Sequence, residues 1–515
     1  MTPRGRVVVV GSGAAGLAAA LGASAGGSDV VVLERDETVG GTTALSGGVV
    51  WLPDNDVMKA AGLDDSASEA CRYLGRLATG EVDAGLMVAF ASDAGRVGRE
   101  IEARTPLRWE LLEHWPDYHG ELPGAVSGGR SLWPRTLTLP AAVETRVHRA
   151  PDQPRAAGSG SAHNDGVVFR GPVRGRALVG ALLAGVGDAG IEVRTGARVT
   201  GLAREGDRVM GVQVGGDVVE GRVVLACGGF QHDPGLAGAH LRGAPVAAMG
   251  TPGCDGDGLR MALSVGVVLG NMTEGWWMPA LHVPGEELDG VPYYRPLHSE
   301  RAYPGAIMVD RTGRRFVDEA QNYGDVGRAI GLLASGAPGP AEPPCWLVFD
   351  GACRRRYPVG PLYPDDPDPP WLRRADDLAT LAAAIGVEAG TLRTTVSTFN
   401  DGARRGEDPE FGRGSLPYDR WIGDQRASHP TLAPLDEAPF YAVAVHRGCM
   451  GTKGGPRTDD RGRVLSSDGA VVAGLYAAGN VAANPFGTAT PAGGGTLGPA
   501  LVFGFRAGEA AAGDR

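Results

Sequence analysis

Residues Val7 to Glu34 read VVVVGSGAAGLAAALGASAGGSDVVVLE. The valines Val7 to Val10 form a short apolar run suited to a strand buried on both faces. Gly11-Ser12-Gly13-Ala14-Ala15-Gly16 then supplies GxGxxG where that strand should turn into a helix. Gly11 permits the tight turn, Gly13 lets the backbone approach a pyrophosphate, and Gly16 lets helix and strand pack closely. Small apolar residues from Leu17 to Leu21 continue the helix, whose free N–H groups and dipole favour phosphate. A second apolar run, Val30 to Leu33, ends in Glu34. That carboxylate is placed to accept a hydrogen bond from a ribose 2′-OH, and it would repel a 2′-phosphate. Strand, glycines, helix and acid fall in order within about 30 residues, so the stretch reads as a nucleotide-binding unit, open between FAD and NAD.

The rest of the chain limits the possibilities. At 515 residues it is long enough for two or more domains. Hydrophobic and charged contents of 43% and 21% are those of a water-soluble globular protein. A formal charge of −11 leaves no basic footprint for nucleic acid or an anionic membrane. Cys71, Cys227, Cys254, Cys345, Cys353 and Cys449 are scattered without a CxxC, so free thiols in a reducing cytoplasm are expected and no metal site is. No stretch approaches the roughly 18 apolar residues of a membrane span.

After Glu34 and Arg35, the paired glycines Gly40-Gly41 and Gly47-Gly48 bracket Thr42, Thr43, Ala44, Leu45 and Ser46. Such a segment can lie flat against a ring and offer hydroxyls to phosphate or flavin oxygens. Residues 56 to 105 are helical in pattern, and 151 to 166 read as a loop. Val193 to Val199 suggest a strand and turn, Val209 to Gly221 a hairpin, and Val223 to Gly229 another buried strand ending in small residues. From Trp276 the texture changes to aromatic residues and prolines. A helix is expected from Val326 to Leu333, a strand from Trp346 to Asp350, and a helix from Leu378 to Phe399. Pro491 to Ala500 opens a final helix.

The Gly-paired segment after the ribose-binding Glu resembles the FAD-dependent fumarate reductase/succinate dehydrogenase flavoprotein superfamily. Within it, GGTTALSGGVVWLP, PDYH with a following GRSL, FVDEAQNY, MGTKGG and LYAAGN are together similar to the 3-ketosteroid Δ1-dehydrogenases. This implies an α/β fold: a discontinuous Rossmann-like FAD-binding domain (1–274 and 444–515) with an inserted α+β capping domain (275–443). It implies FAD held by Gly11 to Gly16, Glu34, Arg35, Gly41 to Thr43, Leu45 to Gly48, Val199, Ala226, Gly228, Asp257, Gly479, Asn480 and Leu497. No His lies between Glu34 and Gly48, where some relatives attach FAD, so the cofactor is expected to be noncovalent.

The implied reaction removes two hydrogens from adjacent ring carbons beside a ketone. A tyrosinate-like base takes the acidic proton, flavin takes hydride, and donors bind the ketone oxygen. The motif assigns the base to Tyr323, the assisting tyrosine to Tyr118, and one ketone donor to the N–H of Gly494. Thr490 stands where the family has its ketone-binding Tyr. Trp276, Trp277 and Phe486 are candidate pocket walls. The expected partners are a small apolar ketone or enone and an electron acceptor the sequence does not specify. The rival readings are an ene-reductase of the fumarate-reductase type and an FAD-binding protein with altered catalysis.

Overall fold

The structure, a computed structural model, describes residues 4–135, 139–149, 175–243, 245–333 and 343–514. The opening stretch folds as a strand, Arg4–Val10, a helix, Ala14–Ala25, and a second strand, Ser28–Leu33. The two strands pair in parallel, with Val10 opposite Leu33. Val7, Val8 and Val9 are wholly buried, as a run with no polar alternation requires. Each such side chain contributes about 1.5–3 kcal/mol on leaving water.

Around this pair a six-stranded sheet assembles. Its order is Arg463–Leu465, Val471–Ala477, Arg222–Leu225, Arg4–Val10, Ser28–Leu33 and Glu192–Arg194, parallel except at the first pairing. The strand expected at Val223 therefore lies directly beside the first strand, with Val10 opposite Leu225. The final helix, Leu497–Gly513, packs on Ala14–Ala25 through small residues on both sides. Gly504 and Gly508 sit so close to the backbone of Ala15 and Ala19 that no side chain fits between the helices.

The second sheet is built on two long antiparallel strands, Gly275–Leu288 and Phe440–Thr452, with Trp277 opposite Cys449. Cys345–Phe349 and Ala306–Asp310 extend it, and Val246–Ala248 and Arg373–Ala375 also pair with Phe440–Thr452. That long strand passes unbroken through residue 443. A separate three-stranded antiparallel sheet, Val199–Glu205, Arg208–Val214 and Asp217–Glu220, contains the expected hairpin.

The helical expectation for 56 to 105 resolves into Asp56–Ala60, Ala67–Leu77 and Ala84–Arg104. That for Leu378 to Phe399 splits into Leu378–Ile385 and Ala389–Ala403, because Gly386 takes a left-handed conformation and caps the first. The loop expected at 151 to 166 lies outside the described residues. No helix among the described residues is long and apolar enough to cross a membrane.

Candidate active site

A cleft opens at the carboxyl ends of the parallel strands, where a doubly wound sheet takes its ligand. It runs along Gly11 to Ala15, passes Glu34 and Arg35, and continues over Gly41, Thr42 and Thr43. Val199, Ala226, Gly228, Asp257, Gly479, Asn480 and Leu497 complete it from distant parts of the chain. Gly16 lies behind the wall: a Cβ there would collide with the carbonyl oxygen of Gly11. Leu45, Ser46, Gly47 and Gly48 do not line the cleft, although Ser46 and Gly48 shape the turn beside it, Gly48 N–H donating to Ser46 Oγ at 3.0 Å. Thr43 Oγ1 accepts from the Ala14 N–H at 3.1 Å and so ties this segment to the helix start. Ala197, Arg198, Cys254 and Thr496 also line the cleft.

Glu34 is buried at the end of its strand. One carboxylate oxygen accepts from the N–H and hydroxyl of Ser12, at 3.0 and 2.5 Å, and the other from the Asp36 N–H at 3.1 Å. Burial raises its pKa, opposed by these donors. A carboxylate has about four acceptor positions, so one remains for a ribose hydroxyl.

Tyr323 is the first residue of the helix Tyr323–Leu332, which Asn322 caps by accepting from the Asp325 N–H at 3.1 Å. The helix start favours negative charge at this place. The turn before it is pinned by a buried ionic cluster: Arg315 pairs with Glu319 at 2.7 Å and with Asp408 at 2.8 Å, and Arg413 reaches Glu319 at 3.1 Å. The Tyr118 ring stands edge-on to Tyr323, centroids 5.4 Å apart. Thr490 packs against Gly324, the next residue of the helix. The Pro491 carbonyl accepts from the Tyr118 N–H at 3.0 Å, so the loop carrying Thr490 and Gly494 is sewn to the tyrosine. Gly494 has φ of +89°, and a Cβ there would fall 2.6 Å from the backbone of Val50 and Trp51. Tyr323, Thr490 and Tyr118 retain only 9%, 4% and 2% of their surface exposure.

Two cations hold this loop, Lys453 buried and Arg328 partly exposed. Lys453, from the MGTKGG stretch, donates to the carbonyls of Thr488 and Ala489 at 2.9 and 2.7 Å. Arg328, on the Tyr323 helix, donates to the same Thr488 carbonyl at 2.6 Å. Burial, with Arg328 nearby, lowers Lys453 to about 7. Burial raises Tyr323, with Tyr118 and Arg301 opposing it, and raises Tyr118 further. Burial works against charge on His119, but Asp325 at 3.3 Å and Glu121 at 3.5 Å outweigh it and raise its pKa.

The three candidate pocket walls, Trp276, Trp277 and Phe486, are all buried. Phe486 is core, packed on Phe90 and Trp51 at centroid distances of 5.3 and 6.3 Å. Trp277 is buried under the Tyr323 helix at Gly327, with the Arg447 guanidinium 3.6 Å above its ring. Trp276 is buried with Lys453 4.2 Å over its ring and donates to the cleft residue Asn480 at 3.2 Å. Both tryptophans lie on the sheet, where large apolar rings are most readily buried. The aromatic residues around Tyr323 and Gly493 are instead Trp115, Trp421, Tyr418 and His298. Trp115 and Trp421 lie 4.4 Å apart, Tyr418 is 4.5 Å from Tyr118, and His298 is 5.7 Å from Tyr323. Trp115 also covers Gly493. Nothing local in PYDRW, residues 417–421, marks it as part of a site.

Residues 6–497 match the family described as FAD binding domain. The chain is 37% identical to the 4-oxocyclohexanecarboxylate 2-dehydrogenase of Sinomonas cyclohexanicum, over 99% of this chain and 94% of the relative. It is 35% identical to the 3-oxosteroid 1-dehydrogenase of Mycobacterium tuberculosis, over 97% of each. The chain belongs to the FAD-binding dehydrogenase family of these two enzymes. Membership makes it an FAD-dependent dehydrogenase acting on CH–CH bonds. The crystal structure of 3-ketosteroid Δ1-dehydrogenase from Sterolibacterium denitrificans, in complex with 1,4-androstadiene-3,17-dione, superposes with a TM-score of 0.89 at 32% identity, covering 99% of both chains. A fumarate reductase (cytochrome) of Shewanella frigidimarina is more distant, 28% identical over 98% of this chain and 76% of the relative. The donor set of the cleft fits FAD: a glycine-lined helix start, a buried ribose acid, and strand ends without bulk.

Proposed function

We propose that this dehydrogenase introduces a C=C bond beside the carbonyl of a cyclic, largely apolar ketone, a steroid or a smaller oxocyclohexane, with Tyr323 as base. The observation that carries the reading is the meeting of Tyr323, Tyr118 and the Thr490–Gly494 loop at one helix start. Tyr323 takes the acidic proton next to the carbonyl, its helix dipole and the Tyr118 ring edge favouring the phenolate. The Thr490 hydroxyl and the Gly494 N–H are the donors for the carbonyl oxygen, where negative charge develops. Trp115, Trp421 and Tyr418 offer flat apolar faces to the ring and exclude water. Bound FAD supplies the two-electron acceptor that takes the second hydrogen as hydride. The division into a cofactor unit (1–274 and 444–515) and a capping unit (275–443) is part of this reading. The first sheet supports it, because it draws its strands only from 4–225 and 463–477.

Mixed anaerobically with 4-oxocyclohexanecarboxylate or with androst-4-ene-3,17-dione, the enzyme should lose its flavin absorbance near 450 nm with at least one of them. If neither ketone bleaches it, and a panel of cyclic ketones also fails, the proposed direction of reaction is wrong.

The FAD is held noncovalently. Acid precipitation should therefore release it to the supernatant, and Glu34→Ala should weaken its retention by about tenfold or more, the value of one charge-assisted hydrogen bond. Stoichiometric FAD in Glu34→Ala after extensive dialysis would refute the ribose assignment.

A further inference from the structure

Arg301 is wholly buried, and its charge acts on Tyr118, Tyr323 and Tyr418. One amino group, Nη1, donates to the carbonyls of Glu319 and Gln321, the latter at 2.7 Å, in the turn that delivers Tyr323. Its Nε and second amino group are buried with no hydrogen-bond partner among the described residues. The hydroxyls of Tyr118 and Tyr418 are likewise buried without a hydrogen-bond partner there. A buried guanidinium with idle donors is costly unless it serves a charge that forms during the reaction. We propose that Arg301 is a positioning residue for proton abstraction: it holds the turn before Tyr323 and lends positive charge to the Tyr323, Tyr118 and Tyr418 hydroxyls when one of them becomes a phenolate. This rests on Tyr323 being the base.

In that step a substrate C–H bond breaks, an O–H bond forms on the Tyr323 phenolate, and the electron pair moves to the carbonyl oxygen. The charge of Arg301 favours the phenolate that must exist beforehand. The groups facing it argue for this role. Asp318 and Glu300 are the nearby carboxyls, and burial raises the pKa of both, Asp318 to about 8. Arg301 acts to lower Glu300, but burial outweighs it and the Glu300 pKa stays raised, unlike that of an acid in a committed ion pair. Burial raises the Tyr323 pKa, and Arg301 acts against that rise.

A nearby opposite charge moves a pKa by about 1–3 units, so its loss should cost about tenfold or more in rate at fixed pH. The test is flavin reduction by stopped flow from pH 6 to 10 in FAD-loaded Arg301→Gln, Arg301→Lys and Tyr323→Phe, using whichever of the two ketones named above bleaches the native enzyme. Arg301→Gln should be slower by about tenfold at pH 7.5, with the rise in rate displaced by about one unit or more to higher pH. Arg301→Lys, which keeps the charge, should return the profile towards that of the native enzyme. Where Arg301→Gln does not hold FAD, Arg301→Met, which buries no polar group, reads the same profile. A native profile in FAD-loaded Arg301→Gln or Arg301→Met, with Tyr323→Phe inactive, overturns the role of Arg301 and leaves the base in place. Activity in Tyr323→Phe would remove the base itself.

Discussion

Tyr323→Phe should lower the rate of flavin reduction by ketone at least about a hundredfold while leaving FAD bound, because general-base catalysis contributes about 10²–10⁴ and the cofactor cleft does not include this residue. The phenyl ring preserves the edge-on packing with Tyr118, so folding should be unaffected. The substitution removes only the proton acceptor. The pH dependence separates this from a packing defect. Burial raises the Tyr323 pKa, so the phenolate fraction, and with it the native rate, should climb through the alkaline range. The residual rate of the Phe variant should be flat there. A variant that keeps the native slope would assign the base elsewhere, with Tyr118 the next candidate.

The second large effect is expected from Gly16→Ala, a change of one methyl group. Gly11 adopts φ of +100° to carry the chain from strand to helix, and this sets its carbonyl against Gly16. A Cβ on Gly16 would collide with that oxygen and lie 2.9 Å from its carbon, both backbone atoms with no rotamer to escape into. Relief requires the helix Ala14–Ala25 to move off the sheet, which tilts the N–H groups at its start away from the pyrophosphate. Overpacking of this kind costs about 1–3 kcal/mol, enough to weaken FAD binding by about ten- to a hundredfold and strip the cofactor on gel filtration. The flavin-to-protein absorbance ratio measures this directly. A stoichiometrically yellow Gly16→Ala would show that the helix does not depend on that contact.

The two variants sample regions that differed in how openly the sequence displayed them. The cofactor unit is legible because its determinants are local. Four valines in a row can only be buried, glycines at fixed spacing serve one turn, and an acid follows at the end of the next strand. Residues from far along the chain, such as Ala226 and Asn480, were reached through their own short motifs, and they do line the cleft. Leu45 to Gly48 look like their neighbours in sequence, but only Gly41, Thr42 and Thr43 of that stretch line the cleft.

The aromatic wall was not legible. Trp276, Trp277 and Phe486 lie near suggestive motifs; Phe486 and Trp277 pack into apolar clusters, and Trp276 lies under Lys453 and donates to Asn480. Trp115, Tyr418 and Trp421 come from segments about 300 residues apart, and none carries a local signature. They meet because the 115–119 segment is sewn to the Pro491 carbonyl on one side, while Asp419 and the Arg413 cluster fix the 413–422 segment on the other. Arg301 was invisible for the same reason, since a single Arg in a chain rich in Arg has no pattern until its donors are found buried and idle.

What the sequence determined by itself was the Val7–Glu34 unit, its dinucleotide ligand and, through short motifs, the family. Those depend on backbone geometry and hydrophobic period, which act over a few residues. The tertiary structure decided which rings surround Tyr323, which cation faces it, and which hydroxyls are left unpaired. Those are properties of long-range packing, where burial sets the strength of every charge, and burial exists only once distant segments have met.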